Sequence, residues 1–207
     1  MRLLAICAVE AEAESCRISE HVHVVVSGVG RTNAAVATTR ALLEEGPFGG
    51  VLSLGVAGAL PGVEPPLCIG DVVVATKSIY HEEGIHTPEG FQDMTGLGFP
   101  LGAFDGNQIP GDTTLLERFG HLGRCAPIAT VATCSGSDDA AREVRRRTDA
   151  IAEAMEGAAV LHAAGLLGVP ALELRIISNT TGARDRQVWN LDLALDRLAD
   201  LVGLLQS

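Results

Sequence analysis

Two groups of acidic residues stand where they could do chemistry. Glu10, Glu12 and Glu14 follow the apolar N-terminal run, and Glu156 begins a stretch of small and apolar residues. A carboxylate in such a place can act as a general acid or base, or accept hydrogen bonds from a pair of neighbouring hydroxyls. All four acids are equally compatible with helix starts, because the helix dipole stabilises negative charge in the first turn.

A cation and a polar pair lie near the end of the apolar run 170–177. Arg175 stands inside this run, where an unpaired charge would be costly, so we expect it to pair with an acid such as Glu12 or Glu156. Ser178 and Asn179 end the run. An asparagine amide both donates and accepts hydrogen bonds, as recognition of a heterocycle edge requires, but Ser and Asn are also common turn residues.

Two glycine-rich segments follow apolar runs. Gly55-Val56-Ala57-Gly58 can be a packing turn or can let backbone N–H groups approach a ligand closely. Gly28-Val29-Gly30 lacks the third glycine of the dinucleotide fingerprint and the lysine of a P-loop, so a tight turn explains it better than a phosphate site does. Arg31, next to it, can bind an anion or face water.

The remaining polar candidates indicate neither a metal site nor a nucleophilic serine. His81 and His86 flank the acids 82–83, but this spacing matches no standard zinc site, so we expect a structural or substrate-loop role and no metal. Ser135 has no His–Asp pair at a suitable spacing. It lies in the segment 133–137 after a predicted strand, and we assign it to substrate binding.

The elements that must position these residues alternate along the chain. Apolar runs predict strands over 2–9, 21–27, 51–54, 71–80, 126–132, 150–154 and 170–177. Helical patterns cover 32–45, 115–119, 138–147, 156–167 and 191–205, and 81–111 looks irregular. This alternation predicts an α/β fold, with one three-layer α/β/α domain over 1–207 and a mixed, largely parallel central sheet. Such sheets bind ligands beyond the carboxyl ends of their strands, where the candidates lie.

Composition excludes several classes of partner. The 207 residues carry a formal net charge of −11 and only 3% aromatic residues, which argues against nucleic acid or an anionic membrane surface. The five cysteines form no CxxC pair, no signal segment is evident, and no apolar run reaches about 18 residues. We therefore expect a cytoplasmic protein with reduced thiols that acts on a small molecule.

Several segments together resemble the purine nucleoside phosphorylase and nucleosidase superfamily. The resemblance rests on Ala8-Val9-Glu10-Ala11-Glu12, Gly55–Gly58, Gly70-Asp71-Val72-Val73-Val74, Met155-Glu156-Gly157-Ala158-Ala159 and Arg175-Ile176-Ile177-Ser178-Asn179, in an order that covers nearly the whole chain. Within that superfamily, 78–84 and 178–182 look most like the futalosine hydrolases. The resemblance implies hydrolysis of the N-glycosidic bond of futalosine, which yields hypoxanthine and dehypoxanthine futalosine in a menaquinone pathway. It further implies a homo-oligomer that needs no cofactor.

The resemblance also implies roles for individual residues. Glu12 matches the carboxylate that activates the attacking water, Arg175 an arginine near that water, and Asn179 the residue that faces the purine N7. The positions assigned to substrate binding are Met155, Glu156, Gly58, Ser178, Tyr80 and Ser135, with Met155 and Glu156 on the ribose, Gly58 beside sugar and base, and Tyr80 on the 5′ side.

One departure from the pattern bears on the substrate. The methylthioadenosine/S-adenosylhomocysteine nucleosidases have Asp where this chain has Asn179. An amide cannot transfer a proton to an adenine N7, but it can hydrogen-bond both O6 and N7–H of a 6-oxopurine. An unpaired buried polar group costs about 1–3 kcal/mol, which favours hypoxanthine over adenine by roughly tenfold or more. The alternatives are a phosphorylase, a methylthioadenosine/S-adenosylhomocysteine nucleosidase and a non-catalytic purine-nucleoside-binding protein.

Overall fold

The computed structural model describes residues 2–17 and 21–205, and within them strands and helices alternate. The strands are β1 (Leu3–Cys7), β2 (Val22–Val26), β3 (Gly50–Ala59), β4 (Val72–Tyr80), β5 (Gly84–Thr87), β6 (Gly90–Asp93), β7 (Gln108–Pro110), β8 (Arg124–Thr130), β9 (Ala152–Ala154) and β10 (Ala171–Thr180). The α-helices are α1 (Glu10–Cys16), α2 (Arg31–Glu44), α3 (Thr113–Phe119), α4 (Asp138–Thr148), α5 (Gly157–Leu166) and α6 (Leu191–Leu204). None of the helices so described is long and apolar enough to cross a bilayer.

The central sheet is mixed, as the alternation predicts. Its strand order is β10-β4-β8-β9-β3-β1-β2, with β7 beside β4. Parallel pairs join β2, β1, β3 and β10, while β4 runs antiparallel to β10, and β9 antiparallel to β3. Because β3 also pairs with β10, five strands close into a ring. The sequence analysis did not predict this closure, which brings β9 and β10 to opposite sides of β3.

Helices cover both faces of the sheet. On one face α6 buries Leu198 and Leu201 in a cluster that also holds Leu54 and Leu174. On the other face α5 packs against α2 and lies in a second apolar cluster. Since α5 is rich in alanine and glycine, its axis can approach the sheet closely. Its first residues consequently reach the buried carboxylates described below.

Two predicted strands end too early in the sequence analysis, because small or polar residues continue them in the structure. Gly55–Gly58, expected to follow the predicted strand 51–54, lies inside β3, which extends to Ala59. Strand β10 likewise continues through Ser178 and Asn179. A buried strand needs paired backbone more than bulky side chains, so glycine and alanine are tolerated here. The segment 81–111, expected to be irregular, contains the β5–β6 hairpin and β7.

Candidate active site

Glu12 is the buried member of the N-terminal acid group. It lies in the first turn of α1, directly after β1, and is only 4% exposed, whereas Glu10 and Glu14 are exposed. The backbone N–H groups of Ala8 (2.9 Å) and Val56 (2.9 Å) donate to its two oxygens. These bonds tie the carboxylate to the carboxyl end of β1 and to the glycine-rich part of β3.

Arg175 is buried within β10 and surrounded by acids. Its Nε donates to Glu173 Oε1 at 2.9 Å, and its Nη2 lies 3.3 Å from Glu156 Oε2. Burial opposes the positive charge, but Glu173, Glu156 and Glu12 together raise the pKa of the guanidinium above its usual value. The expected pairing with Glu156 is therefore present, while Glu12 acts on Arg175 electrostatically and Glu173 is an additional partner.

Glu156 joins this centre from the N-terminus of α5. It is 5% exposed and occupies the N-cap position. The N–H of Gly30 donates to its Oε1 at 3.0 Å, so the Gly28–Gly30 turn supports a carboxylate of this chain. The adjacent Arg31 lies 2.8 Å from Glu83 and 3.5 Å from Glu82, and these contacts engage its guanidinium.

Gly55 shows how closely the charged groups approach one another. A Cβ built at this position would lie 2.4 Å from Glu12 Oε1 and 2.7 Å from Arg175 Nη1. Its φ of +155° also disfavours other residues. A side chain at this position would displace the carboxylate, so the glycine is required by the packing of Glu12 and Arg175 against β3.

Asn179 stands beside Gly58 in a separate cavity of about 340 Å³. The register of β10 on β3 shifts between Ile177 and Asn179, a β-bulge that places Asn179 opposite Gly58. Ser178 Oγ donates to Asn179 Oδ1 at 2.9 Å and so orients the amide. The cavity is also lined by Ser135, which brings this predicted substrate residue to the same place. Its volume lies at the lower end of the range for small-molecule sites.

Met155 and Tyr80 lie at the margins of this arrangement. Met155 Sδ is 3.4 Å from Cys134 Sγ, and Cys134 lines the cavity that holds Asn179. Tyr80, at the end of β4, has its hydroxyl 3.4 Å from His162 Nδ1, and its ring lies 5.9 Å from the guanidinium carbon of Arg31. Burial raises the pKa of Tyr80 to about 12, so its hydroxyl stays protonated.

The histidines of the 81–86 segment separate. His81 is buried, and desolvation together with the Arg147 charge lowers its pKa to about 4. His86 stacks edge-on against Phe91 within the β5–β6 hairpin. Over residues 2–17 and 21–205, no three His, Cys, Asp or Glu side chains are placed to hold a metal ion.

Two buried acids escaped the sequence analysis. Glu173 is two residues before Arg175 on the same strand face, so the signal that singled out Arg175 could have found its partner. Glu153 lies in the apolar strand β9 and accepts hydrogen bonds from the N–H (2.7 Å) and Oγ (2.6 Å) of Ser135. Both are acids within apolar runs, the pattern that marks a buried charge in need of partners.

Comparison with known proteins identifies relatives that match most of this chain. A family model described as the Phosphorylase superfamily matches residues 10–205. The futalosine hydrolase of Streptomyces coelicolor is 35% identical over 194 residues, which cover 91% of this chain and 80% of that protein. A 5′-methylthioadenosine/S-adenosylhomocysteine nucleosidase of Marinomonas sp. is 28% identical over 177 residues, 78% of this chain and 69% of that protein.

A solved structure shares the fold along the full length. The native structure of the futalosine hydrolase of Helicobacter pylori strain 26695 covers 100% of this chain and 97% of its own, with a TM-score of 0.80 and 20% identity. The family match and the 35% identical relative span most of the chain and of that relative. This chain therefore belongs to the phosphorylase superfamily and, within it, to the futalosine hydrolases.

Proposed function

We propose that this protein hydrolyses the N-glycosidic bond of futalosine and releases hypoxanthine and dehypoxanthine futalosine, a step of menaquinone biosynthesis. The observation that carries the proposal is the meeting of Glu12 and Glu156 at the guanidinium of Arg175, beside the glycine-rich part of β3. The 35% identity to a futalosine hydrolase supports the same substrate.

The chemistry follows from the charge that develops during glycoside cleavage. The sugar becomes oxocarbenium-like while negative charge collects on the leaving base. Glu12, oriented by backbone N–H groups, is positioned to direct and deprotonate the attacking water. Glu156 accepts hydrogen bonds from the ribose hydroxyls and stabilises positive character on the ring. Arg175 pairs with Glu156 and interacts electrostatically with Glu12, which backbone N–H groups hold in place. General acid–base help of this kind is typically worth about 10²–10⁴-fold in rate.

The residues that bind the leaving base are different from those that act on the sugar. Asn179 offers an amide to O6 and N7 of a 6-oxopurine, and Ser178 fixes the orientation of that amide. Gly58 and Ser135 form walls of the base cavity, Met155 contacts the ribose, and Tyr80 lines the 5′ side. None of these steps needs a metal or an organic cofactor.

The test is release of free base from futalosine by the purified protein. Glu12→Gln should abolish turnover while nucleoside binding, measured by calorimetry, stays within a few-fold. Glu14→Gln is the matched control, because Glu14 is exposed on the same helix. Unchanged turnover in Glu12→Gln would remove Glu12 from its role, and absence of base release by the unmutated protein would refute the proposal.

The same assay separates the alternatives. A phosphorylase would release a sugar 1-phosphate only when phosphate is present. We favour water as the nucleophile because Arg31, the cation beside the Gly28–Gly30 turn, is engaged by Glu82 and Glu83. A methylthioadenosine/S-adenosylhomocysteine nucleosidase would release adenine from methylthioadenosine at a comparable rate. A non-catalytic binding protein would bind nucleosides without turnover.

The setting of the enzyme is part of the proposal. We place it in the cytoplasm, where its free cysteines, among them Cys7 and Cys16 with sulfurs 3.7 Å apart, would stay reduced. Its partners are a small purine nucleoside and further copies of itself, and its acidic charge argues against nucleic acid or an anionic membrane. Light scattering on a sizing column tests the homo-oligomer.

A further inference from the structure

Glu173 is a fully buried acid to which the proposed mechanism gives no task. Neither Glu173 nor Ser78 has exposed surface, and Ser78 Oγ donates to Glu173 Oε2 at 2.5 Å. The other carboxylate oxygen, Oε1, accepts from Arg175 Nε at 2.9 Å. A carboxylate sealed from solvent does not reach a bound nucleoside, so any effect of Glu173 on the reaction must pass through the residues that it contacts.

The Glu173 carboxylate also lies directly against the start of α5. A Cβ built at Gly157, the first residue of that helix, would overlap both Glu173 oxygens. Gly157 has no positive φ, so a glycine is needed here for space and not for conformation. The residue before it in the chain is Glu156. Glu173 is therefore packed between β4, β10 and the helix that begins at the carboxylate assigned to the ribose.

Glu173 fixes one edge of the Arg175 guanidinium. A guanidinium is planar, so its donors point in directions that are fixed relative to one another. With Nε bonded to Glu173, Nη2 lies 3.0 Å from Ser53 Oγ and 3.3 Å from Glu156 Oε2. Loss of the Glu173 carboxylate would leave the Nε–H as a buried donor without that partner. The guanidinium would then be free to turn about its contact with Ser53 and away from Glu156.

We infer that Glu173 is a positioning residue that acts through Arg175 on the carboxylate of Glu156. The inference rests on the proposed function and extends it to a residue that does not meet the substrate. Ser78 and the backbone of Gly157 fix Glu173, Glu173 fixes the guanidinium, and the guanidinium fixes the carboxylate that receives the ribose hydroxyls. Misplacement of that carboxylate weakens its hydrogen bonds to the sugar, both in the bound nucleoside and in the transition state.

The experiment measures how well Glu156 meets the ribose. One readout is kcat for release of hypoxanthine from futalosine. The other is the affinity for inosine divided by the affinity for 2′-deoxyinosine, measured by calorimetry in a Glu12→Gln background that blocks turnover. Glu173→Met keeps the side-chain volume but removes the acceptor of Arg175 Nε. It should lower kcat about 10²-fold, as a displacement of about 1 Å can, and lower the affinity ratio roughly tenfold.

The conservative variant should restore the position without the charge. Glu173→Gln keeps the length of the side chain, and its amide can accept from Arg175 Nε and donate to Ser78 Oγ. We expect its kcat and its affinity ratio to stay within about fivefold of the unmutated values, although the loss of a buried charge lowers stability. A loss in Glu173→Gln as large as that in Glu173→Met would overturn the inference, because the charge and not the position would then matter.

Two further variants separate position from stability. Ser78→Ala removes one of the bonds that hold Glu173 and should lower the affinity ratio in the same direction, by about threefold. It serves in place of Glu173→Met if that variant does not fold. Leu198→Ala opens a cavity in the apolar cluster beneath α6, so it should lose stability but keep kcat and the ratio. An unchanged kcat and ratio in Glu173→Met, or losses that follow stability alone and include Leu198→Ala, would overturn the inference.

The affinity ratio separates this inference from the proposed function. If the unmutated protein releases no base from futalosine, the hydrolase is refuted. A ratio that nevertheless falls in Glu173→Met and recovers in Glu173→Gln would uphold the positioning role. A protein that hydrolyses futalosine with the same kcat and the same ratio in both Glu173 variants would retain the hydrolase and refute the positioning role.

Discussion

Addition of a single methyl group at Gly55 tests whether the reaction rate depends on the position of the Glu12 carboxylate. The Cβ of Gly55→Ala would lie 2.4 Å from Glu12 Oε1, about 1 Å short of ordinary van der Waals contact, and 2.7 Å from Arg175 Nη1. The guanidinium is held by Glu173 and Glu156, so the carboxylate must move. A misplacement of about 1 Å can cost about 10²-fold in rate, and we expect kcat for futalosine to fall by about that factor.

The control must separate displacement from backbone strain. Gly62 also has a left-handed backbone, with φ of +71°, but no atom lies within 4 Å of the position that its Cβ would take. Gly62→Ala therefore carries a conformational penalty of its own without a clash, and it should retain full kcat. Hypoxanthine release is followed by chromatography, and thermal unfolding verifies that both variants are folded at the assay temperature.

The result that would refute this reasoning is specific. If Gly55→Ala is folded and its kcat stays within twofold of the unmutated value, the position of the Glu12 carboxylate does not limit the reaction. If Gly62→Ala loses as much activity as Gly55→Ala, backbone strain rather than the carboxylate is responsible.

Three other perturbations probe the base site, the ionic centre and the buried histidine. Asn179→Asp should reduce the preference for inosine over adenosine by about tenfold, because a protonated Asp can donate to an adenine N7; an unchanged ratio of kcat/KM values would contradict the assignment. Glu173→Gln removes one partner of a buried ion pair and should lower the free energy of unfolding in urea by about 3 kcal/mol, with the exposed Glu64→Gln unchanged. His81 has its pKa lowered to about 4 by burial and by Arg147. The unfolded chain therefore binds more protons between pH 6.5 and 4, and stability is lost as the pH falls through that window, by at most about 3 kcal/mol. His81→Gln should flatten this slope in urea titrations at several pH values, and an unaltered slope would show that other groups cause it.

Sequence patterns identified buried charged residues more accurately than they identified the strand boundaries. Glu156 and Arg175 were identified because charges in apolar surroundings need partners, whereas Glu12 was distinguished from Glu10 and Glu14 by the family resemblance. The structure brings all three together. Residues 51–54 and 170–177 were predicted as strands but were cut short. Glycine and polar residues signal turns in isolation, and only pairing with neighbouring strands keeps them extended.

Other features could not be predicted from any local sequence pattern. The closing of β3 onto β10 and the opposition of Glu153 and Asn179 across Gly58 depend on which strands meet, and strand pairing is a property of the whole sheet. The β5–β6 hairpin was missed because its strands have four residues each and are partly exposed. Such strands carry almost no hydrophobic alternation.

The register shift before Asn179 has a consequence for how this family could change its substrate. If the strand ran regularly from Ile177, Ser178 would stand opposite Gly58 and Asn179 would move on by one step to Ala59. Whether a hydroxyl or an amide meets the ligand there is thus decided by chain length as well as by residue type. Insertion or deletion of one residue usually disrupts a buried strand. At this point it could instead change substrate selectivity while Arg175 and its acids stay in place.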